Sequence, residues 1–170
     1  MPRQKTIFID ISKCMACKTC ENECASSHSI GGTIFSAITE GVRPRVHIVG
    51  DTRGSMPVSC QHCETPYCSI VCPTHAIVQN ETVDLNPNLC IGCRLCISVC
   101  PFGAIDLING KAYKCDLCSA RLKQGLLPAC VDGCPTKALS FIDIKKMNIE
   151  KRAEHFEKMI LAEKEKQKLV

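Results

Sequence analysis

Apolar residues along this chain come in short bursts set between turn-forming residues. Ile7, Ile9 and Ile11 alternate with polar neighbours, a period of two that predicts a strand near the N-terminus. Thr33 to Glu40 reads as a short helix, Arg45 to Val49 as a short strand, and Asp51-Thr52-Arg53-Gly54-Ser55 as a turn. Ala76-Ile77-Val78 and Thr82-Val83-Asp84-Leu85, separated by Gln79-Asn80-Glu81, predict a hairpin. Ala104 to Ile108 and Lys111 to Lys114 flank Asn109-Gly110, the strongest short-range hairpin signal there is. Ser119 to Ala129 predicts one or two helical turns, stopped by Gly125 and Pro128. The tail differs. Ile149, Ala153, Phe156 and Ile160 recur at helical spacing with Met159 alongside, behind Asn148 as N-cap and Glu150 in the first turn. Lys164, Lys166 and Lys168 complement the dipole of the far end, so a helix over 149–168, about 30 Å long, is expected.

None of these bursts is long enough to build a large core, and composition says the same. The 170 residues include no tryptophan and 4% aromatics, but sixteen cysteines. A small domain with so thin a core commonly needs metal or disulfides. The cysteines fall into four groups: Cys14, Cys17, Cys20, Cys24; Cys60, Cys63, Cys68, Cys72; Cys90, Cys93, Cys96, Cys100; and Cys115, Cys118, Cys130, Cys134. The third is a C-x2-C-x2-C-x3-C-P run, the pattern by which bacterial-type ferredoxins hold iron–sulfur clusters, with the fourth cysteine serving a neighbouring cluster. Three cysteines at two-residue spacing wrap a loop around one cubane. The fourth is turned away on a short helix that proline then ends, having no N–H and restricting the residue before it.

The groups are internal repeats. Cys72-Pro73-Thr74-His75-Ala76-Ile77, Cys100-Pro101-Phe102-Gly103-Ala104-Ile105 and Cys134-Pro135-Thr136-Lys137-Ala138-Leu139 are three versions of one phrase. The first group breaks it, with Ala25 where proline is expected. Residues 25–59, the longest cysteine-free interval before the tail, read equally as a surface insertion or as a docking surface for another subunit.

Rival uses of the thiols fare worse. The N-terminus carries no apolar signal segment and no twin-arginine leader, and no apolar stretch approaches the ~20 residues of a membrane span, so a reduced, cytoplasmic setting is expected, in which thiols go to metal. Zinc favours two C-x2–4-C knuckles across a longer spacer, and triple-cysteine runs suit one tetrahedral ion poorly. The net charge of +4 does not advertise nucleic acid. Each four-thiolate cluster site carries about −2, so four would bring the sum to about −4, and no basic stripe interleaved with aromatics is present.

On its four cysteine groups, over about residues 5–142, the chain resembles the four-cluster ferredoxin-like electron-transfer subunits found with formate dehydrogenases, dimethyl-sulfoxide-reductase-type enzymes, hydrogenases and carbon monoxide dehydrogenases. The resemblance implies nested pairing, first group with fourth and second with third. One [4Fe–4S] cluster would then belong to Cys14, Cys17, Cys20 and Cys134, and its partner to Cys115, Cys118, Cys130 and Cys24. A third would belong to Cys60, Cys63, Cys68 and Cys100, and a fourth to Cys90, Cys93, Cys96 and Cys72. The implied fold is α+β: two nested two-[4Fe–4S] ferredoxin domains with short hairpins and helices. Residues 1–56 and 110–145 form the outer domain, 57–109 the inner, and 146–170 a C-terminal helix.

A cluster with four thiolate ligands offers no open iron site, so the expected function is relay of single electrons within a cytoplasmic anaerobic complex, without catalysis by the chain itself. No G-x-G-x-x-G, P-loop or C-x3-C-x2-C run is present to argue for nucleotide or radical chemistry. The resemblance points to a formate dehydrogenase joined to a hydrogenase, with carbon monoxide dehydrogenase as the next partner; a free-standing polyferredoxin and a redox sensor are the other classes. Ile149, Phe156, Met159 and Ile160 are candidates for docking or self-association. Lys13, Lys18, Arg94 and Lys114 lie beside cysteine groups and are candidates for raising cluster potentials, against the plainer reading of solvated charges. His62 and His75 read as spacer residues, not ligands.

Overall fold

A computed structural model describes residues 5–167, with side chains to residue 160. Strand β1 (Lys5–Ile9) leads through a 3-10 turn, Ile11–Lys13, to helix α1 (Thr19–Ser27). Helix α2 (Ile34–Glu40) and the hairpin of β2 (Val46–Asp51) and β3 (Gly54–Ser59) follow. Next come α3 (Tyr67–Ile70), the hairpin of β4 (Ile77–Gln79) and β5 (Val83–Leu85), α4 (Leu95–Ser98), and the hairpin of β6 (Ile105–Ile108) and β7 (Lys111–Lys114). The chain closes with α5 (Ser119–Lys123), α6 (Ala129–Asp132), β8 (Leu139–Asp143) and α7 (Ile144–Gln167).

Among the described residues every sheet has two antiparallel strands, and three of the four are local hairpins. The fourth joins the ends of the chain: β1 pairs with β8, Lys5 opposite Asp143 and Ile9 opposite Leu139. Ile7 and Ile9 carry the expected alternation, but Ile11 has left the strand for the 3-10 turn and is exposed. The β6–β7 turn has both Asn109 (φ 51°) and Gly110 (φ 73°) in the left-handed region, as a two-residue hairpin loop requires. Pro57 is tolerated in β3 because a two-stranded sheet has only edge strands.

Helix α2 has a reciprocal cap, the Thr33 hydroxyl accepting from Ser36 N while Ser36 Oγ accepts from Thr33 N, and it stops at Gly41 (φ 68°). The spacer before Pro128 turns at Gly125 (φ 76°), and Pro128 opens α6. The terminal helix departs from expectation at its start. It begins at Ile144, directly after β8, and its cap is Asp143, whose carboxylate accepts from Lys145 N (2.9 Å) and Lys146 N (3.2 Å), not Asn148. Its 24 residues make it about 36 Å long. The side chains of Lys164, Lys166 and Lys168 lie outside the described residues. No described helix is long and apolar enough to cross a membrane.

Two separate cores form. One gathers Cys20, Cys24, Val46, Cys130, Val131, Cys134, Ala138 and Leu139, with Ile7, Ile9, Ile48 and Phe141 against it. The other gathers Ile77, Val83, Cys96, Ile105 and Ala112, with Cys68, Cys72, Leu85, Cys90, Ile97 and Cys100 against it. The largest fully buried side chains are Ile77, Val83, Pro57 and Pro128, each contributing about 1.5–3 kcal/mol of apolar burial or less. Cysteines make up half of the buried residues of the first core and, with Cys96 inside it and Cys68, Cys72, Cys90 and Cys100 against it, surround the second.

Candidate metal centres

The four cysteine loops share one backbone device. The residue before the second cysteine of each C-x2-C unit is left-handed: Ala16 (φ 55°), His62 (47°), Gly92 (72°) and Leu117 (57°). A left-handed residue within such a turn swings successive N–H groups to one side, forming a concavity that favours anions. Gly92 is there for space as well, since a Cβ would sit 2.3 Å from Gly110 O. The third cysteine of each group then lies in a helix: Cys20 in α1, Cys68 in α3, Cys96 in α4 and Cys130 in α6.

The repeated Cys-Pro phrase has a repeated shape. His75 (φ 52°), Gly103 (58°) and Lys137 (54°) occupy the same left-handed position, and each donates its N–H to the carbonyl of Cys72, Cys100 or Cys134 at 3.3 Å. Each of α3, α4 and α6 has four residues. Where Ala25 replaces proline, α1 runs on to nine.

The folded chain brings cysteines of different groups together. Cys72 lines one cavity with Cys90, Cys93 and Cys96. Cys24 lines another with Cys115, Cys118 and Cys130. Cys134 is close enough to Cys17 and Cys20 for its charge to act on both, and Cys14 packs against the core that holds Cys20 and Cys134. Cys60 and Cys100 act in the same way on Cys68, while Cys63 follows His62 in the same loop as Cys60. The helices agree, α1 packing on α6 and α3 on α4. All sixteen thiols are free.

Donors point at several sulfurs. Arg45 N donates to Cys24 Sγ (3.2 Å), Ala112 N to Cys90 Sγ (3.2 Å), Leu117 N to Cys115 Sγ (3.4 Å) and the Thr19 hydroxyl to Cys17 Sγ (3.3 Å). Burial works the other way. It pushes the thiols of Cys20 and Cys68 up to about 11 and Cys115 up to about 12, and raises Cys130 further. Buried sulfurs with such weak acidity become thiolates only when a cation shares the site. Cys72 and Cys134 are shifted downward instead: burial opposes the charge, but N–H groups of the Cys-Pro phrase and the Thr74 and Thr136 hydroxyls outweigh it. A sulfur lining, N–H groups turned toward it and a need for positive charge all fit iron–sulfur clusters.

The basic candidates separate. Lys13 is exposed and paired with Asp10 at 2.8 Å; Lys18 and Arg94 are exposed at left-handed positions before α1 and α4. Lys114 departs from the solvated-charge reading. It is 4% exposed, and its Nζ donates to Val83 O and to Cys115 O (2.9 Å). His62 is buried with Nδ1 accepting from Val83 N at 3.2 Å, and His75 is exposed.

Sequence reasoning missed a polar network beside Cys24. His28 Nδ1 bonds Cys24 O at 2.7 Å, and its Nε2 lies 3.2 Å from Asp116. Asp116 also pairs with Arg45 at 2.6 Å, and the Arg45 guanidinium lies over the Tyr113 ring, 4.8 Å from its centroid. Burial opposes the His28 charge, but Asp116 and the Cys24 carbonyl push its pKa up to about 9. Burial likewise opposes the Asp116 carboxylate, which His28 and Arg45 nevertheless hold well below the usual range. The missing proline at Ala25 was the available signal, because the longer α1 is what delivers His28 to this place.

The 4Fe-4S dicluster domain pattern matches residues 54–144, more than half the chain. The chain belongs to this family. Among its relatives, electron transport protein HydN of Escherichia coli is 34% identical, the match covering 86% of this chain and 94% of HydN. The B subunit of the anaerobic dimethyl sulfoxide reductase of Haemophilus influenzae is 36% identical, over 85% of this chain and 76% of its own length. The Escherichia coli protein UacF, a putative oxidoreductase by name, is 37% identical over 83% of this chain, which spans only 22% of that longer protein. This dicluster protein is thus an iron–sulfur electron-transfer protein.

Proposed function

We propose that this dicluster protein relays single electrons through four [4Fe–4S] clusters as a subunit of a larger, cytoplasmic oxidoreductase complex. The observation that supports this reading is that Cys134 lies near Cys17 and Cys20 of the first group, Cys24 shares a cavity with Cys115, Cys118 and Cys130, Cys100 lies near Cys68, and Cys72 shares a cavity with Cys90, Cys93 and Cys96. The ligand sets are those of nested pairing: Cys14, Cys17, Cys20, Cys134; Cys24, Cys115, Cys118, Cys130; Cys60, Cys63, Cys68, Cys100; and Cys72, Cys90, Cys93, Cys96. Such clusters supply one-electron transfer and leave no iron position open to a substrate. The protein's part is to hold sixteen thiolates, to aim the N–H groups of Arg45, Ala112 and Leu117 at sulfur, and to keep Cys115 and Cys130 from water.

The outer unit is drawn from both chain ends and the inner one from the middle. In this reading the β6–β7 pairing and the place of Ala112 in the second core favour drawing the inner unit on from residue 109 to Lys114. The partners are catalytic subunits, foremost a formate dehydrogenase and a hydrogenase; the relation to a reductase subunit supports a subunit role in general. Helix α7 is a docking element in this reading, with Ile149 and Phe156 each 65% exposed, Met159 59% and Ile160 41%. The test is anaerobic purification from native cells. Sixteen irons per chain and co-purifying catalytic subunits are expected; a lone monomer, or zinc in place of iron, would overturn the reading.

A further inference from the structure

Lys114 stands apart from every other charged residue described. It ends β7, is 4% exposed, and immediately precedes Cys115. Its Nζ bonds two carbonyl oxygens, Val83 O from β5 in the second core and Cys115 O at the start of the fourth cysteine group. Among the described residues no carboxylate lies within ion-pair distance of it. Burying an ammonium with only neutral acceptors is costly, so such a charge needs an anion nearby. Asp84 and Asp116 line a cavity with Lys114, but Asp84 accepts from Asn80 and Thr82 and Asp116 is paired with Arg45; the other anionic groups at hand are sulfurs. Val83, whose carbonyl Lys114 holds, donates its N–H to His62 in the loop between Cys60 and Cys63, and the other carbonyl Lys114 holds is that of Cys115; the ammonium is also near enough to Cys68 to favour its thiolate. The side chain therefore sits where the second and fourth cysteine groups adjoin, on the seam between the two cores.

We propose that Lys114 is the fixed counter-cation of the two adjoining cluster sites built on Cys68 and Cys115, holding their potentials up and tying the two halves of the relay together. The proposal rests on the four-cluster reading above. The physics is one of sign. Adding an electron to a site that is already net negative becomes easier when a cation is held beside it in a medium of low dielectric. Lys13, Lys18 and Arg94 are equally near to cysteines in sequence, but water screens them. The two hydrogen bonds also fix the spacing of the sites by joining backbone from either side of the seam.

The experiment uses the full chain, purified anaerobically with its clusters. Lys114→Gln keeps a hydrogen-bond donor and removes the charge; Lys114→Arg keeps the charge. In redox titrations followed by electron paramagnetic resonance, Lys114→Gln is expected to move one or two centres to more negative potential and leave the others in place. Lys114→Arg restores most of the shift. Lys18→Gln and Arg94→Gln move no centre comparably. Unchanged potentials in Lys114→Gln with a full iron complement would overturn the proposal, as would an equal shift in every centre. A wild-type chain without sixteen irons would instead defeat the four-cluster reading, so the two failures are distinguishable. A readout on unaltered protein guards against variants that do not assemble. Amine acylation followed by peptide mapping should find Lys114 protected while iron is bound and labelled after chelation. Labelling of Lys114 in the iron-loaded protein as fast as Lys13 would count against the proposal.

Discussion

Three of the four cysteine groups send the chain from the third cysteine through a four-residue helix into Cys-Pro; the first sends it through nine residues with alanine after the cysteine. The difference shows how much one residue type settles. With proline, the chain turns at once, a left-handed residue follows, and the next apolar run pairs as a strand. Without it, α1 continues past Cys24, packs on α2, and places His28 against Asp116. The first group thereby gains a polar clasp to the fourth that no Cys-Pro phrase provides.

The largest test of this comparison is Ala25→Pro. It should end α1 at Cys24 and detach His28, destabilising the iron-loaded protein by about 3 kcal/mol or more. Thermal unfolding followed by circular dichroism measures it, and wild-type stability would show that helix length is not what matters. His28→Ala cuts only the clasp, leaving Asp116 to Arg45; a loss of about 1–2 kcal/mol is expected on chemical denaturation, with iron content retained. The reverse change, Pro101→Ala, should cost only about 0.4–1 kcal/mol, since Gly103 still turns the chain and the loss is mainly in the entropy of the unfolded state. The smallest effect on stability belongs to Phe156→Ala on the exposed face of α7, within about 0.5 kcal/mol. That variant should reduce the size of the native assembly by light scattering; unchanged size would argue against α7 as a docking element.

Much of this was legible because it is local. Asn109-Gly110 fixes its hairpin by backbone preference alone, the Cys-Pro phrases repeat their shape, and Thr33 and Gly41 bracket α2. What was not legible depends on partners distant in sequence or on a competing local signal. Strand β3 contains Gly54, Ser55 and Pro57 and has little strand character of its own; pairing with β2 makes it one. The start of α7 is hidden because Asp143 belongs to a strand and a cap at once, and Ile144-Lys145-Lys146 carries no helical period. Burial of Lys114 was unreadable because its acceptors are carbonyl oxygens, one of them 31 residues away on another hairpin. The thiol sets met the same limit: spacing announces a cluster loop, but which distant cysteine completes it is a matter of folding.

The pairing of β1 with β8 sets an order of assembly. Strand β1 has no mate until Leu139 to Asp143 have been translated, on the order of ten seconds later at ordinary elongation rates. The central hairpins, β4 with β5 and β6 with β7, find theirs within a few residues. The central pairings can therefore close before β1 meets β8, so metal loading is expected to begin at the cysteines around the second core.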